Sequence, residues 1–416
     1  MEARSQIRFD DMSRTRQFLI DNPIVLTIYL PWLLIAIGIG CLQPIMPLYV
    51  AEFGASYSLV GLVLGAEGIG QLLGNVPAGI MLRRYGSKRT LLTGSLGITL
   101  AILPLIWTQS IAIVLLMQFL GGFSRSLFSV AQHTYFSQNV SVSKRGRAIS
   151  IYGGVMRIGG LIGPVIGGLL GANFGLRAAF PFYALLGAMV VVIIVIFVEN
   201  HTVNDESKGA QASPLRTTLR VSGRILTIAG TASLLAQMIR ASRRVLLPLI
   251  GRDLLGLDVD AIGLVMSIAS AMDVVLFYPA GVIMDRFGRK FAILPCFAIQ
   301  AVAMLLVPLV STFAGLVAIG ALIGFGNGLG SGTMMTLGSD LAPPETRGEF
   351  LSIWRLIGDG GFTGAPLLVG AVADALTLSA AAVVMAFAGF GAVAVFGLFV
   401  PETLEKSKRK RLHPSS

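Results

Sequence analysis

Long apolar stretches follow one another along the whole chain and constrain the fold more than any other feature. Each is long enough to cross a hydrocarbon core about 30 Å thick. The chain is 54% hydrophobic and 13% charged over 416 residues, with a mean hydropathy of +0.79, which excludes a soluble protein. We therefore predict an all-α membrane protein. The twelve predicted helices span 23-50, 56-83, 89-107, 110-138, 146-174, 178-199, 224-250, 258-285, 290-309, 313-341, 347-375 and 378-400.

A repeated motif divides the chain into two related halves. Segment 281-290 reads GVIMDRFGRK, and segment 79-88, which lies 202 positions earlier (281 − 79 = 202), reads GIMLRRYGSK. An internal repeat in a membrane chain is typical of a transporter built as two bundles around a site at the membrane midplane. The same offset relates Arg145, Gly146, Ser150, Ile151, Gly159, Pro164 and Gly168 to Arg347, Gly348, Ser352, Ile353, Gly361, Pro366 and Gly370.

These motifs resemble those of a known family. The pattern G-x-x-x-D-R-x-G-R-K between the second and third spans of each half resembles the signature loop of the major facilitator superfamily. The resemblance implies twelve transmembrane helices in two pseudo-symmetric six-helix bundles that work by alternating access. Two positions depart from the family pattern: Arg83 replaces an aspartate, and Gln118 replaces the arginine usual in the fourth span.

A second motif lies in the fifth predicted span. It resembles the fifth-span motif of the superfamily's twelve-span drug:proton antiporters, and this resemblance implies export rather than import. Its small residues and proline would also let two helices approach closely. The motif consists of Gly159, Gly163, Pro164, Gly167 and Gly168.

The distribution of charge predicts the domains and the topology. Of 32 Lys and Arg residues, 24 lie in the termini, alternate loops and the central linker, whereas only Arg177 and Arg252 lie in the loops between. By the positive-inside rule this multi-pass protein of the cell membrane has both termini in the cytoplasm. The net charge of +11 therefore reflects topology and not nucleic-acid binding. The predicted parts are a cytoplasmic arm (1-22), an N-terminal six-helix bundle (23-199), a cytoplasmic linker (200-223), a C-terminal six-helix bundle (224-400) and a basic cytoplasmic tail (401-416).

The signature loops are candidates for a cytoplasmic latch. A carboxylate such as Asp285 can face the positive N-terminus of a helix that begins at the same level. In the superfamily these loops hold the cytoplasmic side closed, so the resemblance implies a latch here; the alternative is a role in topology and packing alone. The repeat relates Arg83 to Asp285 and Arg147 to Glu349 (147 + 202 = 349). The helix arrangement that the resemblance implies would then place Asp285 opposite Arg147 and Arg83 opposite Glu349. The candidate latch residues are Gly79, Arg83, Arg84, Gly86, Arg147, Gly281, Asp285, Arg286, Gly288, Arg289 and Glu349.

Ionisable residues inside the predicted spans are functional candidates, because an unpaired charge at membrane depth is costly. The candidates for proton coupling are Glu67, Asp273 and Asp359, and Glu67 is favoured because it lies among small residues. The substrate-cavity candidates are Arg125, Arg157, Arg240, Arg243, Arg244 and Arg355. This excess of arginine indicates a cavity that tolerates or seeks negative charge. The alternative is structural ion pairing. The repeat together with the helix arrangement implied by the resemblance predicts a pair between Arg157 and Asp273, with Arg355 or a proton compensating Asp359.

We expect a secondary active transporter, most directly one for proton-coupled efflux of small amphiphilic, drug-like compounds. Alternatives are a transporter or flippase of an anionic or lipid-like substrate and a non-transporting membrane receptor.

His133 is a further candidate for moving protons, although a packing role is the alternative. The sequence has no nucleotide fingerprint, metal-ligand cluster or hydrolytic triad, so we expect no enzymatic activity, cofactor or metal. The expected partners are a small-molecule substrate, protons and the lipid bilayer, with the protein a monomer.

Overall fold

The structure, a computed structural model, describes residues 24–140, 145–199 and 215–404. Over these ranges the chain forms helices joined by short turns, because backbone groups inside a membrane have no water to bind and must pair within their own helix. Eleven helices in the described ranges are long and apolar enough to cross a membrane. The predicted arm, residues 200–214 of the predicted linker and the tail beyond 404 lie outside the described residues.

The α-helices in chain order are α1 (Leu30–Ala51), α2 (Tyr57–Ile102), α3 (Ile111–Asn139), α4 (Arg145–Phe174), α5 (Ala179–Phe197), α6 (Leu215–Leu249), α7 (Val259–Arg286), α8 (Arg289–Leu306), α9 (Phe313–Leu329), α10 (Thr333–Leu341), α11 (Arg347–Ala375) and α12 (Leu378–Leu398). Two π-helical turns, Val25–Tyr29 and Ile250–Leu254, adjoin α1 and α6. Single 3-10 turns occupy Leu103–Ile106, Leu176–Ala178, Val307–Leu309 and Pro344–Thr346.

Helix α2 contains a reversal of the chain. Its 46 residues would be about twice as long as a membrane is thick if the helix were straight. At Gly86 the backbone leaves the helical conformation (φ 82°, ψ 175°), which glycine can do because it has no side chain. From Gly70 to Gly74 the helix follows α3 in the same direction, and from Gly94 to Gly97 it follows α3 in the opposite direction. The two parts of α2 correspond to the separate predicted spans 56-83 and 89-107.

Two helices differ from the sequence prediction. The predicted helix 313-341 is divided into α9 and α10 by three residues, and Gly332 in this break has a φ of 77° that favours glycine. Helix α6 begins at Leu215, inside the predicted linker 200-223. The apolar pattern could not show either feature, because the break lies inside an apolar stretch and the first residues of α6 are polar.

The sequence repeat is also a repeat of helix contacts. Gly122 of α3 lies against the carbonyl of Glu67 on α2. In the second half, Gly324 of α9 lies against the carbonyl of Ala269 on α7 (122 + 202 = 324, 67 + 202 = 269). A side chain at either glycine would overlap the neighbouring backbone. Glycine is therefore required at the same place in both halves.

The two halves contact each other near one end of the molecule. We call the end that holds residues 83–88 and 285–290 the motif face, and the other end the opposite face. Toward the opposite face, Gly61 of α2 lies against Pro366 of α11, and Gly263 of α7 lies against Pro164 of α4. Small residues thus bring backbones of the two halves into direct contact there.

Polar groups also join the halves at the opposite face. The Asp374 carboxylate at the end of α11 accepts hydrogen bonds from the backbone amides of Tyr57 and Ser58 at the start of α2, at 2.7 and 2.8 Å. The Tyr57 hydroxyl donates to Asp253 at 3.1 Å, and Arg252 donates to the Leu48 carbonyl at 3.3 Å. An aspartate of one half therefore caps a helix of the other.

Toward the motif face the halves are apart. A side chain added at Gly79, Gly281 or Gly348 would meet no atom within 4 Å in the described part of the chain. Val76 of α2 is 71% exposed and Tyr278 of α7 is 79% exposed. The space between the halves is therefore open on the motif face and closed on the opposite face.

Candidate functional site

A cavity of about 480 Å³ lies between the two halves. Three smaller cavities of about 250, 240 and 70 Å³ share lining residues with it. Arg244 of α6 lines all four, so it stands where they meet. The polar and aromatic lining of the 480 Å³ cavity includes Trp32, Glu67, Gln71, Arg125, His133, Tyr152, Gln237, Arg244, Asp359 and Phe362.

Glu67 of α2 forms an ion pair with Arg125 of α3 in the wall of this cavity. Both side chains are partly buried, at 26% and 20% exposed. The contact of Gly122 with the Glu67 carbonyl holds α2 and α3 close enough for the pair to form. The sequence singled out both residues without linking them, whereas the structure brings them together. A proton on Glu67 would remove the charge that balances Arg125.

Arg157 of α4 reaches across to the second half. Its guanidinium donates to the Ser331 hydroxyl at 2.8 Å and to the Gly153 carbonyl at 3.1 Å. It lies over the ring of Phe277, 3.9 Å from the centroid, and its Nε is 4.0 Å from an Asp273 carboxylate oxygen. Arg157 is therefore in closer contact with Ser331, Gly153 and Phe277 than with Asp273.

Asp273 of α7 is held mainly by neutral groups. The Asn327 side-chain amide donates to its carboxylate at 2.9 Å, and the Ser331 hydroxyl donates at 3.4 Å. Both partners come from the end of α9 and the break that follows it. Sequence reasoning missed them, because neutral polar residues beside a glycine-rich break carry no distinctive pattern.

The three α6 arginines have different surroundings. Arg240 donates to the Gly330 carbonyl at 3.0 Å and lies 5.0 Å from the Phe297 ring centroid. Arg244 lies 4.6 Å from the centroid of Phe362, inside the cavities and not at an outer interface. Nη1 of Arg243 is buried without a hydrogen-bond partner among the described residues. Within the same residues, none of the three has a carboxylate within 4.0 Å.

Asp359 of α11 has its partner on its own helix. Its carboxylate is 3.6 Å from Arg355, one turn earlier. The side chains are 38% and 61% exposed, so this pair is more open to solvent than the pair formed by Glu67 and Arg125. Asp359 lines the 480 Å³ cavity together with Gln71, its predicted neutral neighbour.

Aromatic side chains form the part of the cavity nearest the motif face. The Trp32 ring stacks on Tyr152 at 5.0 Å, and His133 is 5.4 Å from Tyr152. Trp32 Nε1 and the Tyr152 hydroxyl are buried without hydrogen-bond partners in the described ranges. This cluster could not be predicted from the sequence, because its members belong to three different spans.

The fifth-span motif makes contacts on two sides of α4. Gly159, Gly163 and Gly167 lie against α1, and the added side chain at Gly163 would come within 2.6 Å of Gly40. Gly168 lies against the backbone of Asp260 on α7, in the other half. The motif therefore supports packing within the first half and contact between the halves.

The candidate latch residues are dispersed around the open motif face. Asp285 pairs with Arg289 of its own loop at 3.1 Å, and Arg289, whose side chain is 8% exposed, also pairs with Asp340 at 3.0 Å. No ion pair within 4.0 Å joins Arg83 to Glu349 among the residues that the structure describes. The Arg147 side chain lies outside them.

The remaining latch candidates are exposed or adopt special backbone conformations. Arg84 and Arg286 lie over the neighbouring rings of Tyr85 and Phe287. Gly86 and Gly288 both have positive φ angles, 82° and 124°. The two glycines therefore make the sharp turns that follow the second span of each half.

A polar cluster that sequence reasoning missed joins the end of the described chain to the motif face. The Glu402 carboxylate accepts hydrogen bonds from the backbone amides of Arg289 and Lys290 at 2.9 Å. Thr403, the next residue, donates to Asp340 at 2.9 Å. Burial alone would raise the pKa of Glu402, but these amides and those of the following residues lower it overall.

Comparison with known proteins decides the family. Residues 32–250 and 229–415 match the description Major Facilitator Superfamily. The chain belongs to the major facilitator superfamily. This agrees with the resemblance of its signature loops, and the protein is accordingly a membrane transporter and not an enzyme.

Relatives within the superfamily include transporters from archaea and bacteria. An uncharacterized MFS-type transporter of Methanocaldococcus jannaschii is 22% identical over 82% of this chain and 89% of its own length. A protein named Multidrug resistance protein 2 of Bacillus subtilis is 27% identical over 41% of this chain and 42% of its own length. A solved structure of the nucleoside transporter NupG has a TM-score of 0.76, with 14% identity, and covers 91% of this chain and 100% of that one. The superfamily fold is thereby confirmed.

Proposed function

We propose that this superfamily member exports small amphiphilic compounds in exchange for protons by alternating access. The observation that carries the proposal is the cavity between the halves, which opens on one face and contains the pair formed by Glu67 and Arg125. The drug-resistance name of the Bacillus subtilis relative supports this substrate class. The open motif face would represent the state that loads substrate from the cytoplasm.

The proposed architecture has twelve crossings in two six-helix bundles, 23-199 and 224-400. The chain reversal at Gly86 supports it, because it converts the long helix α2 into two crossings. The basic loops of the motif face support its placement in the cytoplasm. During transport the contacts of Gly61 with Pro366 and of Gly263 with Pro164 would open, while the motif face closes.

Coupling would act through Glu67. While its carboxylate is charged, it neutralises Arg125 in the cavity wall. A proton arriving from the opposite face would discharge Glu67 and leave Arg125 free to bind substrate or another group. Asp359 and Asp273 are weaker candidates, because Asp359 faces the open side beside Arg355 and Asp273 is held by Asn327 and Ser331.

The proposal can be tested in liposomes that contain the purified protein and the trapped pH dye pyranine. An imposed pH gradient should drive an amphiphilic dye across the membrane, and addition of the dye should in turn move protons. Glu67→Gln should reduce gradient-driven transport at least about tenfold, a change of roughly 1.4 kcal/mol, and leave downhill exchange intact. Glu52→Gln, at an exposed glutamate outside the cavity, is the control. Uphill transport by the Glu67 variant at the normal rate would refute the assignment.

A further inference from the structure

We propose that the 250 Å³ cavity beside α6 binds the oxyanion headgroup of an amphiphilic substrate, a carboxylate, sulfonate or phosphate. The inference rests on the proposed transport function and specifies the substrate class. Four arginines line the cavity, and none of its lining residues is acidic; the arginines are Arg157, Arg240, Arg243 and Arg244.

The charged side chains near the cavity include more arginines than carboxylates. Arg125 has Glu67 as a direct partner, and Arg157 is 4.0 Å from Asp273. The three arginines of α6 have no carboxylate within 4.0 Å in the described ranges. Asp273 and Glu67 act on Arg243 and Arg244 only from beyond that distance, and incompletely compensated charge within a membrane span is costly. An anion in this cavity would supply the missing counter-charge.

Several hydrogen-bond donors of these arginines have no acceptor in the described ranges. Nη1 of Arg243 and the Nε atoms of Arg157 and Arg240 are buried without acceptors among the described residues. Buried donors of this kind are normally satisfied, and a guanidinium forms its strongest hydrogen bonds with oxyanions. The residues that carry these donors line the same cavity, so a rotation of their guanidinium groups would let one headgroup accept from several of them.

The break between α9 and α10 also favours an anionic ligand. Gly330, Ser331 and Gly332 line the cavity, and Gly332 is the residue from which α10 begins. The N-terminus of a helix carries partial positive charge and exposed amides, and broken helices in transporters present such ends to anionic groups. Gly330 is also tightly packed, since a side chain there would overlap the Cys296 thiol and the end of the Arg240 side chain. The break and the arginines therefore favour the same ligand charge.

The connection between two cavities indicates that the ligand is an amphiphile. The 250 Å³ and 480 Å³ cavities share Gln237, Arg244 and Phe362. Beyond these residues the larger cavity is lined by the stacked rings of Trp32 and Tyr152. A headgroup among the arginines would thus leave its apolar body against aromatic side chains, which favour such groups.

Three of the four arginines of the oxyanion site, those of α6, have no charged counterpart in the first half. Subtracting 202 from the three α6 positions gives Gly38, Cys41 and Leu42 of α1 (240 − 202 = 38, 243 − 202 = 41, 244 − 202 = 42). None of these can carry charge as arginine does. Structural need common to both halves therefore does not explain the α6 arginines, which favours a role in binding the proposed ligand.

The test uses three probes that share one apolar body and differ in charge: pyrenebutyrate, pyrenebutanol and pyrenebutyl-trimethylammonium. Binding to the full chain in nanodiscs of neutral lipid is measured by energy transfer from tryptophan to pyrene, and empty nanodiscs give the background. Pyrenebutyrate should bind at least about tenfold more tightly than the alcohol, with the ammonium weakest.

Inorganic phosphate is added as a competitor. Competition at micromolar phosphate would identify free anions as the ligand source, whereas competition only at millimolar phosphate would identify amphiphiles.

Two variants make the test specific. Arg243→Gln should weaken binding of the carboxylate about tenfold and leave binding of the alcohol unchanged. Arg220→Gln, at an exposed arginine on the same helix, should change neither. Equal binding of all three probes, or an equal effect of Arg243→Gln on each, would overturn the oxyanion site and leave the transport proposal standing. Tight carboxylate binding without movement across liposomes would instead refute transport and leave the site.

Discussion

At the scale of single residues, Arg157 illustrates how a buried charge can have several partners. It binds Ser331 and Gly153 and lies over Phe277, in addition to its 4.0 Å approach to Asp273. Asp273 in turn has Asn327. Each residue therefore keeps hydrogen bonds when the other is replaced, so loss of one partner should cost less than the roughly 3–5 kcal/mol of an isolated buried pair.

We predict a coupling energy of roughly 1–2 kcal/mol between Arg157 and Asp273. Asp273→Asn should lower the free energy of unfolding in mixed micelles, and adding Arg157→Gln should recover part of the loss. The comparison of both single variants, the double variant and the parent gives the coupling directly. Strictly additive effects would show that the two charges do not interact.

Repeat symmetry contributed to predicting which charged residues lie close together. The 202-residue offset, combined with the helix arrangement that the resemblance implied, predicted that Arg157 would lie beside Asp273, and their nearest charged atoms are 4.0 Å apart. The energetic pairing stays a prediction. The offset could not predict the pair formed by Glu67 and Arg125, because their counterparts are the uncharged Ala269 and Asn327. Features present in only one half leave no trace in a comparison of halves.

At the scale of helices, Glu402 fastens the segment after α12 to the start of α8. Its carboxylate accepts from the Arg289 and Lys290 amides at a helix N-terminus, where negative charge is favoured. Its pKa is lowered in the folded protein, so its stabilising effect is full above the ordinary pKa of 4.5 and is lost as pH falls through the lowered value.

We therefore predict that Glu402→Gln unfolds more easily than the parent at neutral pH and that the difference narrows in acid. Thermal unfolding between pH 3 and pH 7 measures this dependence, since the relevant titration lies below about 4.5. Glu52→Gln, at an exposed glutamate that ends α1, is the control and should show a smaller difference. A gap that widened in acid would contradict the proposed charge of Glu402.

Helix boundaries were predictable where polarity changes and unpredictable where it does not. Apolar length predicted the spans from α3 to α5 and from α11 to α12 within a few residues. The break at 330–332 lies in a stretch of glycines and small residues, and only a tertiary contact such as that of Arg240 with the Gly330 carbonyl distinguishes it. Glycine permits both a helix break and close helix packing, so its presence alone could not show which of the two occurs here.

At the scale of the whole molecule, the proposed alternating access makes this structure one state of a pair. Sequence symmetry predicts contacts for both states, because under this proposal the same chain must form each in turn. It could not say which contacts would be present together. The open motif face explains why Arg83 and Glu349 are unpaired with each other here, and their pairing in the closed state stays a prediction.

We predict that a disulfide joining Arg83→Cys to Glu349→Cys forms only when the motif face closes. Oxidation should then stop transport, and a reducing agent should restore it. The native cysteines Cys41 and Cys296 are buried and would not interfere. Each single variant serves as a control, and continued transport by the fully cross-linked protein would contradict the latch.

The cap that Asp374 places on α2 should favour the state that is closed on the opposite face. Asp374→Asn weakens the hydrogen bonds to Tyr57 and Ser58, and since the site is exposed we expect a shift of about 1 kcal/mol, or about fivefold. The shift can be read as slower thiol labelling at Val76→Cys, which is accessible while the motif face is open. Asp260→Asn is the matched control, because Asp260 caps only its own helix. Unchanged labelling by the Asp374 variant would contradict this role.

The arginines of α6 also have an electrical consequence. When the protein switches its open face, the cavity loses contact with one aqueous phase and gains contact with the other. The membrane voltage then falls across a different part of the protein, so its effect on these charges changes although the charges stay in place. Each elementary charge that crosses the full field is worth about 2.3 kcal/mol per 100 mV. Arg240, Arg243 and Arg244 carry positive charge without a carboxylate within 4.0 Å among the described residues. The empty protein should therefore respond to membrane voltage, and a bound anion should reduce that response by its own charge.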